Sequence, residues 1–90
     1  MSMPIIKVYG SKDCGPCRLL KDVMKRILVQ RQVTVELLDV EVNAQQFAER
    51  RVTYMPTVEI YNSKGVFQEA LVGLKREREY LDAIDRARGE

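Results

Sequence analysis

Both cysteines of this ninety-residue chain lie in one four-residue segment, Cys14-Gly15-Pro16-Cys17, set between a strand-like run and a helix-like one. The run before it, Ile5-Ile6-Lys7-Val8-Tyr9, is nearly all apolar and stops at Gly10-Ser11, the pattern of a strand buried on both faces. After it, Leu20, Val23, Met24, Ile27 and Leu28 recur at helical spacing, with Arg18, Lys21, Asp22, Lys25 and Arg26 on the opposite side, as far as Gln30. Pro16 suits the first turn of such a helix, where its missing N–H would have had no partner. Two thiols three residues apart at a helix start share a face and can close a small disulfide ring. A dithiol at a strand-to-helix junction points to thiol–disulfide exchange.

The remaining pattern completes a small α/β chain. Val33, Val35 and Leu37 alternate with Thr34 and Glu36, which predicts a strand over residues 33–40. Asn43 is placed to cap a short helix running to about Arg51, with Phe47 as its core anchor. Thr57-Val58-Glu59-Ile60-Tyr61 alternates again, Asn62-Ser63-Lys64-Gly65 reads as a turn, and residues 66–72 return as a hairpin partner. A closing helix from about Lys75 to Arg88 buries Tyr80, Leu81, Ile84 and Ala87, although Leu74 and Lys75 are poor caps for its start. The order βαβαββα, with a right-handed crossover between the first two strands, predicts one mixed four-stranded sheet flanked by helices on both faces. Residues 1–90 are expected to form a single domain.

Charge and composition remove several function classes. Fifteen basic and thirteen acidic side chains are interspersed, giving a net charge of +2, so no nucleic-acid partner is expected. The pairs Lys25-Arg26, Arg50-Arg51 and Lys75-Arg76 read as solvated faces. No apolar run spans a bilayer, and Met1-Ser2-Met3-Pro4 lacks the basic start and apolar stretch of a secretory signal. A cytoplasmic monomer without a membrane partner is the expectation. In that compartment a Cys-x-x-Cys pair is catalytic or metal-binding more often than structural. With no histidine and no further cysteine, tetrahedral zinc or an iron–sulfur cluster would need a dimer sharing four thiols, so no metal and no cofactor are expected.

Roles within the dithiol follow from position. Cys14 sits where free helix N–H groups and the positive end of the dipole favour the thiolate, and Cys17 can donate its S–H to it. Lys12 and Arg18 add positive charge, while Asp13 opposes the thiolate unless it points to solvent. Cys14 is therefore the expected nucleophile, and Cys17, shielded in the first turn, the resolving thiol. Inert buried thiols are the structural alternative.

Cys-Gly-Pro-Cys, followed some forty residues later by Met55-Pro56-Thr57 at a strand start, resembles the thioredoxin family over essentially the whole chain. The resemblance implies the thioredoxin fold and a cis Met55–Pro56 bond that faces the dithiol and offers the Met55 backbone to an extended substrate segment. It implies a substrate-binding groove made by Gly15, Pro16, Tyr54, Met55, Pro56, Thr57 and Gly73, with Gly73 letting a substrate backbone approach. It further implies disulfide-containing protein substrates and a flavoprotein thioredoxin reductase as electron donor.

Two positions depart from the family. Asp13 stands where tryptophan usually precedes the first cysteine, and Val8 replaces the buried acid that helps take the proton of the second thiol. Resolution by Cys17 is accordingly expected to be slow. These departures and the short length are similar to glutaredoxins, but the Gly-Gly-Asp that holds glutathione is missing, since Leu74-Lys75-Arg76 follows Gly73. The alternatives are thus a glutathione-coupled reductase, a non-catalytic accessory subunit of a larger partner, and a dimeric metal or cluster carrier.

Overall fold

Ile6, Val58 and Ile60 have no solvent exposure, because the strands that carry them are central in the sheet. The computed structural model describes residues 3–89; Met1 and Ser2, part of the segment in which no signal pattern is read, lie outside the described residues. Its elements are β1 (Ile5–Gly10), α1 (Gly15–Gln30), β2 (Thr34–Asp39), α2 (Ala44–Glu49), β3 (Thr57–Tyr61), β4 (Phe67–Val72) and α3 (Glu77–Arg88). The sheet order is β2-β1-β3-β4. β1 runs parallel to β2, and the β1–β3 and β3–β4 pairs are antiparallel. This is the mixed four-stranded sheet predicted from the element order.

Helices cover both faces. On one, Leu20, Met24 and Ile27 of α1 and Tyr80, Leu81 and Ile84 of α3 pack on Ile6, Val8, Val58 and Ile60. On the other, Phe47 of α2 meets Tyr9 and Leu38, with the Tyr9 and Phe47 rings edge to face at 5.0 Å. Fractional burial of this apolar surface is the main stabilising term for a chain of this length. Arg26–Glu77 at 2.7 Å and Arg31–Asp85 at 2.8 Å link α1 and its end to α3; both pairs are partly exposed and set orientation more than stability.

Several expectations are corrected. Leu28 and Leu37 are about half exposed, at 49% and 57%, because β2 is an edge strand and, among the described residues, nothing beyond it covers that end of the α1 stripe. Leu38 is buried in place of Leu37, facing α2. Asn43 is the N-cap of α2, but its side chain turns back to accept the Asp39 N–H at 2.9 Å and does not cap the helix. α2 ends at Glu49 and α3 begins at Glu77, two residues inside their predicted limits. Arg76 caps α3 unexpectedly: the Glu79 carboxylate accepts its N–H at 2.8 Å, the acidic half of a capping box. Gly65, at φ 81°, makes the predicted β3–β4 turn, with the Asn62 side chain accepting the N–H groups of Lys64 and Val66.

The largest difference is in β3, where all five residues are buried, Glu59 at 4% exposure. A buried carboxylate needs partners. Tyr9 and Tyr61 donate their hydroxyls to Oε1 at 2.8 and 2.7 Å, and the Arg50 guanidinium donates to Oε2 at 2.9 Å. Arg50 is thus an ion-pair partner, also lying over the Phe67 ring at 5.1 Å, and not simply part of a solvated face. Burial first, and the bond to Glu59 second, push the Tyr61 hydroxyl up to about 12 and that of Tyr9 still higher. A raised pKa in the folded state means that this contribution to stability is complete below the ordinary tyrosine value of about 10 and is lost as pH climbs above it. Urea midpoints are therefore expected to hold up to about pH 10 and fall toward pH 12, less steeply in Tyr61→Phe. A midpoint that stays level over that range would contradict the arrangement.

Candidate functional site

The dithiol sits at the C-terminal end of β1, where the chain turns through Ser11, Lys12 and Asp13 into α1. Cys14 is the N-cap of α1, with extended backbone at φ −98° and ψ 113°, and Pro16 lies in the first turn. Cys14 and Cys17 are joined by a disulfide, with Cα atoms 5.2 Å apart. Within this oxidised pair the Cys17 N–H donates to Cys14 Sγ at 3.2 Å, so the cap contact that a hydroxyl usually makes is made by sulfur. The same N–H and the helix dipole would stabilise a Cys14 thiolate on reduction.

The two sulfurs occupy different environments. Cys14 is partly exposed, whereas Cys17 is 4% exposed and is fixed from below by the end of β1. A Cβ added to Gly10 would lie 3.1 Å from Cys17 Sγ and 3.3 Å from its Cβ, closer than ordinary packing permits. In the sequence Gly10 marks only a strand end; the signal for its second role is a glycine at the last strand position just before the dithiol. Lys12 and Asp13 are both exposed. Arg18 reaches back to donate to the Lys12 carbonyl at 3.2 Å, and the Asp13 N–H meets Ser11 Oγ at 3.3 Å. Val8 lies in the core beneath α1, with no acid in its place.

The second half of the expected site gathers at the same end of the sheet, since Thr57 pairs with Tyr9 across the β1–β3 ladder. The Met55–Pro56 peptide bond is cis, as the resemblance implied. The Thr57 hydroxyl donates to the Tyr54 carbonyl at 2.6 Å, and the Gly73 N–H donates to the Pro56 carbonyl at 2.7 Å. Gly73 has φ 83°, a conformation that favours glycine, and a side chain there would meet the Tyr54 ring at 3.7 Å. Tyr54 is 61% exposed, Val72 52% and Leu74 39%, forming an apolar rim to this loop pair. Met55 is half-buried and packs toward Tyr9 and Phe47. Tyr80, expected only as core, also holds the second loop: its hydroxyl accepts the Lys75 N–H at 3.0 Å and donates to the Gly73 carbonyl at 3.4 Å. Gly15 and Pro16 are exposed beside the dithiol.

The seat of Cys17 is testable by adding one methyl group. Gly10→Ala is expected to cost about 1–3 kcal/mol by overpacking, while Gly15→Ala, with open space around it, should change stability by less than about 0.5 kcal/mol. Urea unfolding of the oxidised proteins measures both. Equal effects at the two positions would mean that Gly10 is not a close-packed seat.

A family model described as Thioredoxin matches residues 2–86. The chain is 30% identical to a thioredoxin of Mycolicibacterium smegmatis, with 92% of this chain and 80% of that protein covered. It is 25% identical to an NADPH-dependent thioredoxin reductase 3 of Arabidopsis thaliana, covering 90% of this chain but only 16% of that protein's length. Among solved structures, a thioredoxin mutant from Halobacterium salinarum superposes with a TM-score of 0.87 at 26% identity, over 93% of this chain and 74% of the other. No helix among the described residues is long and apolar enough to cross a membrane. With its fold, its paired cysteines at the head of α1 and a family match over nearly its whole length, the chain belongs to the thioredoxin family and is a thiol–disulfide oxidoreductase.

Proposed function

We propose that this protein reduces disulfides in protein substrates through Cys14 and Cys17, and that a thioredoxin-reductase-type flavoprotein restores the dithiol. The observation that carries this reading is the asymmetry of the pair: a partly exposed Cys14 at the helix cap and a buried Cys17 behind it. The Cys14 thiolate attacks one sulfur of a substrate disulfide, whose other sulfur leaves as a thiolate. Cys17 then attacks Cys14 Sγ, the bond from Cys14 to the substrate breaks, and the Cys14–Cys17 disulfide closes. Two electrons have passed to the substrate.

The rim of Tyr54, Val72 and Leu74 supports a peptide as the substrate class, because apolar side chains flanking loop backbone suit an extended segment. In this reading Gly15, Pro16, Met55, Pro56, Thr57 and Gly73 complete the groove, Lys12 and Asp13 tune the nucleophile, and Val8 withholds the usual buried acid. Likeness to part of a thioredoxin reductase favours a flavoprotein donor over glutathione. A cytoplasmic, monomeric protein working without metal or cofactor fits this role.

Insulin-disulfide reduction, run in parallel with a thioredoxin reductase system and with glutathione plus its reductase, tests the proposal. Turnover is expected with the first donor and not the second. Cys14→Ser should abolish it, and Cys17→Ser should accumulate a mixed disulfide with the substrate. Turnover with glutathione alone would favour the glutaredoxin-like alternative. No turnover with either donor, in protein whose thiols are intact, would leave the accessory-subunit alternative.

A further inference from the structure

Cys17 must lose a proton before or as it attacks Cys14, yet it is 4% exposed and has an apolar Val8 beneath it. A partly open cavity of about 80 Å3 lies against it, lined by Val8, Gly10, Lys12, Cys17, Lys21 and Asp39 among others. That volume exceeds the roughly 10–15 Å3 that one water needs. Its charged lining comes from three elements: Lys12 in the loop after β1, Lys21 on α1 and Asp39 at the end of β2. The two lysines are hydrogen-bond donors, the Ser11 hydroxyl can donate or accept, and Asp39 supplies the one carboxylate of the lining.

The sheet register fixes where Asp39 points. Asp39 is the parallel-strand partner of Gly10, and paired residues of neighbouring strands present their side chains on one face, about 4.8 Å apart. That face is the one on which a Cβ at Gly10 would lie 3.1 Å from Cys17 Sγ. The Asp39 side chain therefore leaves the sheet one strand spacing from the contact point of the sulfur, on the sulfur's side. Its Oδ1 accepts the N–H groups of Glu41 at 2.8 Å and Val42 at 3.4 Å, while Oδ2 has no hydrogen-bond partner among the described residues.

From this geometry we infer that Asp39 accepts the proton of Cys17 through water held in the cavity, a role that deepens the disulfide-reductase reading and rests on it. In the mixed disulfide the Cys17 sulfur bonds to Cys14 Sγ, and its proton passes through water to the Asp39 carboxylate. The bond between Cys14 and the substrate sulfur breaks, and that sulfur departs with the electron pair and takes a proton from solvent. The protein dithiol is oxidised and the substrate disulfide reduced; Asp39 returns its proton to solvent through the open side of the cavity.

The test uses the reduced full chain and dithiobis(nitrobenzoate), so it needs neither a protein substrate nor a reductase and is independent of the insulin assay. Attack by Cys14 releases one coloured thiolate, and resolution by Cys17 releases the second. Asp39→Asn keeps the oxygen that accepts the turn N–H groups and removes the proton acceptor. It is expected to leave the first release unchanged and to slow the second about tenfold near neutral pH, less than the roughly 10²–10⁴ of direct general-base catalysis because water intervenes. The difference should close as pH rises and Cys17 ionises unaided. Asp39→Ser, with circular dichroism to verify folding, should behave in the same way. Equal second-release rates near neutrality, or a slowing that persists undiminished at high pH, would overturn the role of Asp39.

Discussion

The contact between Gly10 and Cys17 is the constraint on which the rest of the site depends. Because Gly10 carries no side chain, the end of β1 can lie close under the first turn of α1, with Cys17 Sγ only 3.1 Å from where a methyl group would sit. Seating Cys17 there leaves Cys14 at the helix cap, turned outward, with its sulfur accepting the Cys17 N–H. One close approach thus divides two identical thiols into an accessible one and a shielded one. The parallel β1–β2 pairing then brings Asp39 alongside the shielded sulfur.

The opposite face of the sheet is held by a different device. Glu59 is buried in β3, satisfied by Tyr9 and Tyr61 and paired with Arg50 as the chain leaves α2. Replacing such a group without its partners would leave buried hydroxyls unpaired, which is costly. Tyr9 belongs to the strand that ends at Gly10, and Thr57, at the start of β3, is its register partner. The polar cluster therefore fixes the alignment of the strand beneath the dithiol and the strand that follows Pro56. Fold stability and site geometry share these residues, although the chemistry itself lies on the other face.

Much of this was legible in the sequence, for identifiable reasons. The α1 stripe, the β3–β4 turn at Gly65 and the cysteine placement are local patterns, and local patterns survive folding. What was missed depends on topology. Alternation in β3 suggested a half-exposed strand, but this central strand is buried on both faces, and Glu59 had to find partners fifty residues away at Tyr9 and nearby at Arg50. Leu37 and Leu28 look like core residues until β2 is known to be the sheet edge. Asp39 carries no motif at all; only the register with Gly10 relates it to Cys17. Family resemblance supplied the Met55–Pro56 conformation and the Gly73 loop, which periodicity alone would not have joined.

The asymmetry of the two thiols can be measured directly by alkylating the reduced protein with limiting iodoacetamide near neutral pH and locating the label by peptide mass spectrometry. Cys14 is expected to be modified at least about tenfold faster than Cys17, because it combines exposure with stabilisation of its thiolate at the helix cap. Equal labelling, or labelling of Cys17 first, would contradict the division of roles on which this account of the site rests.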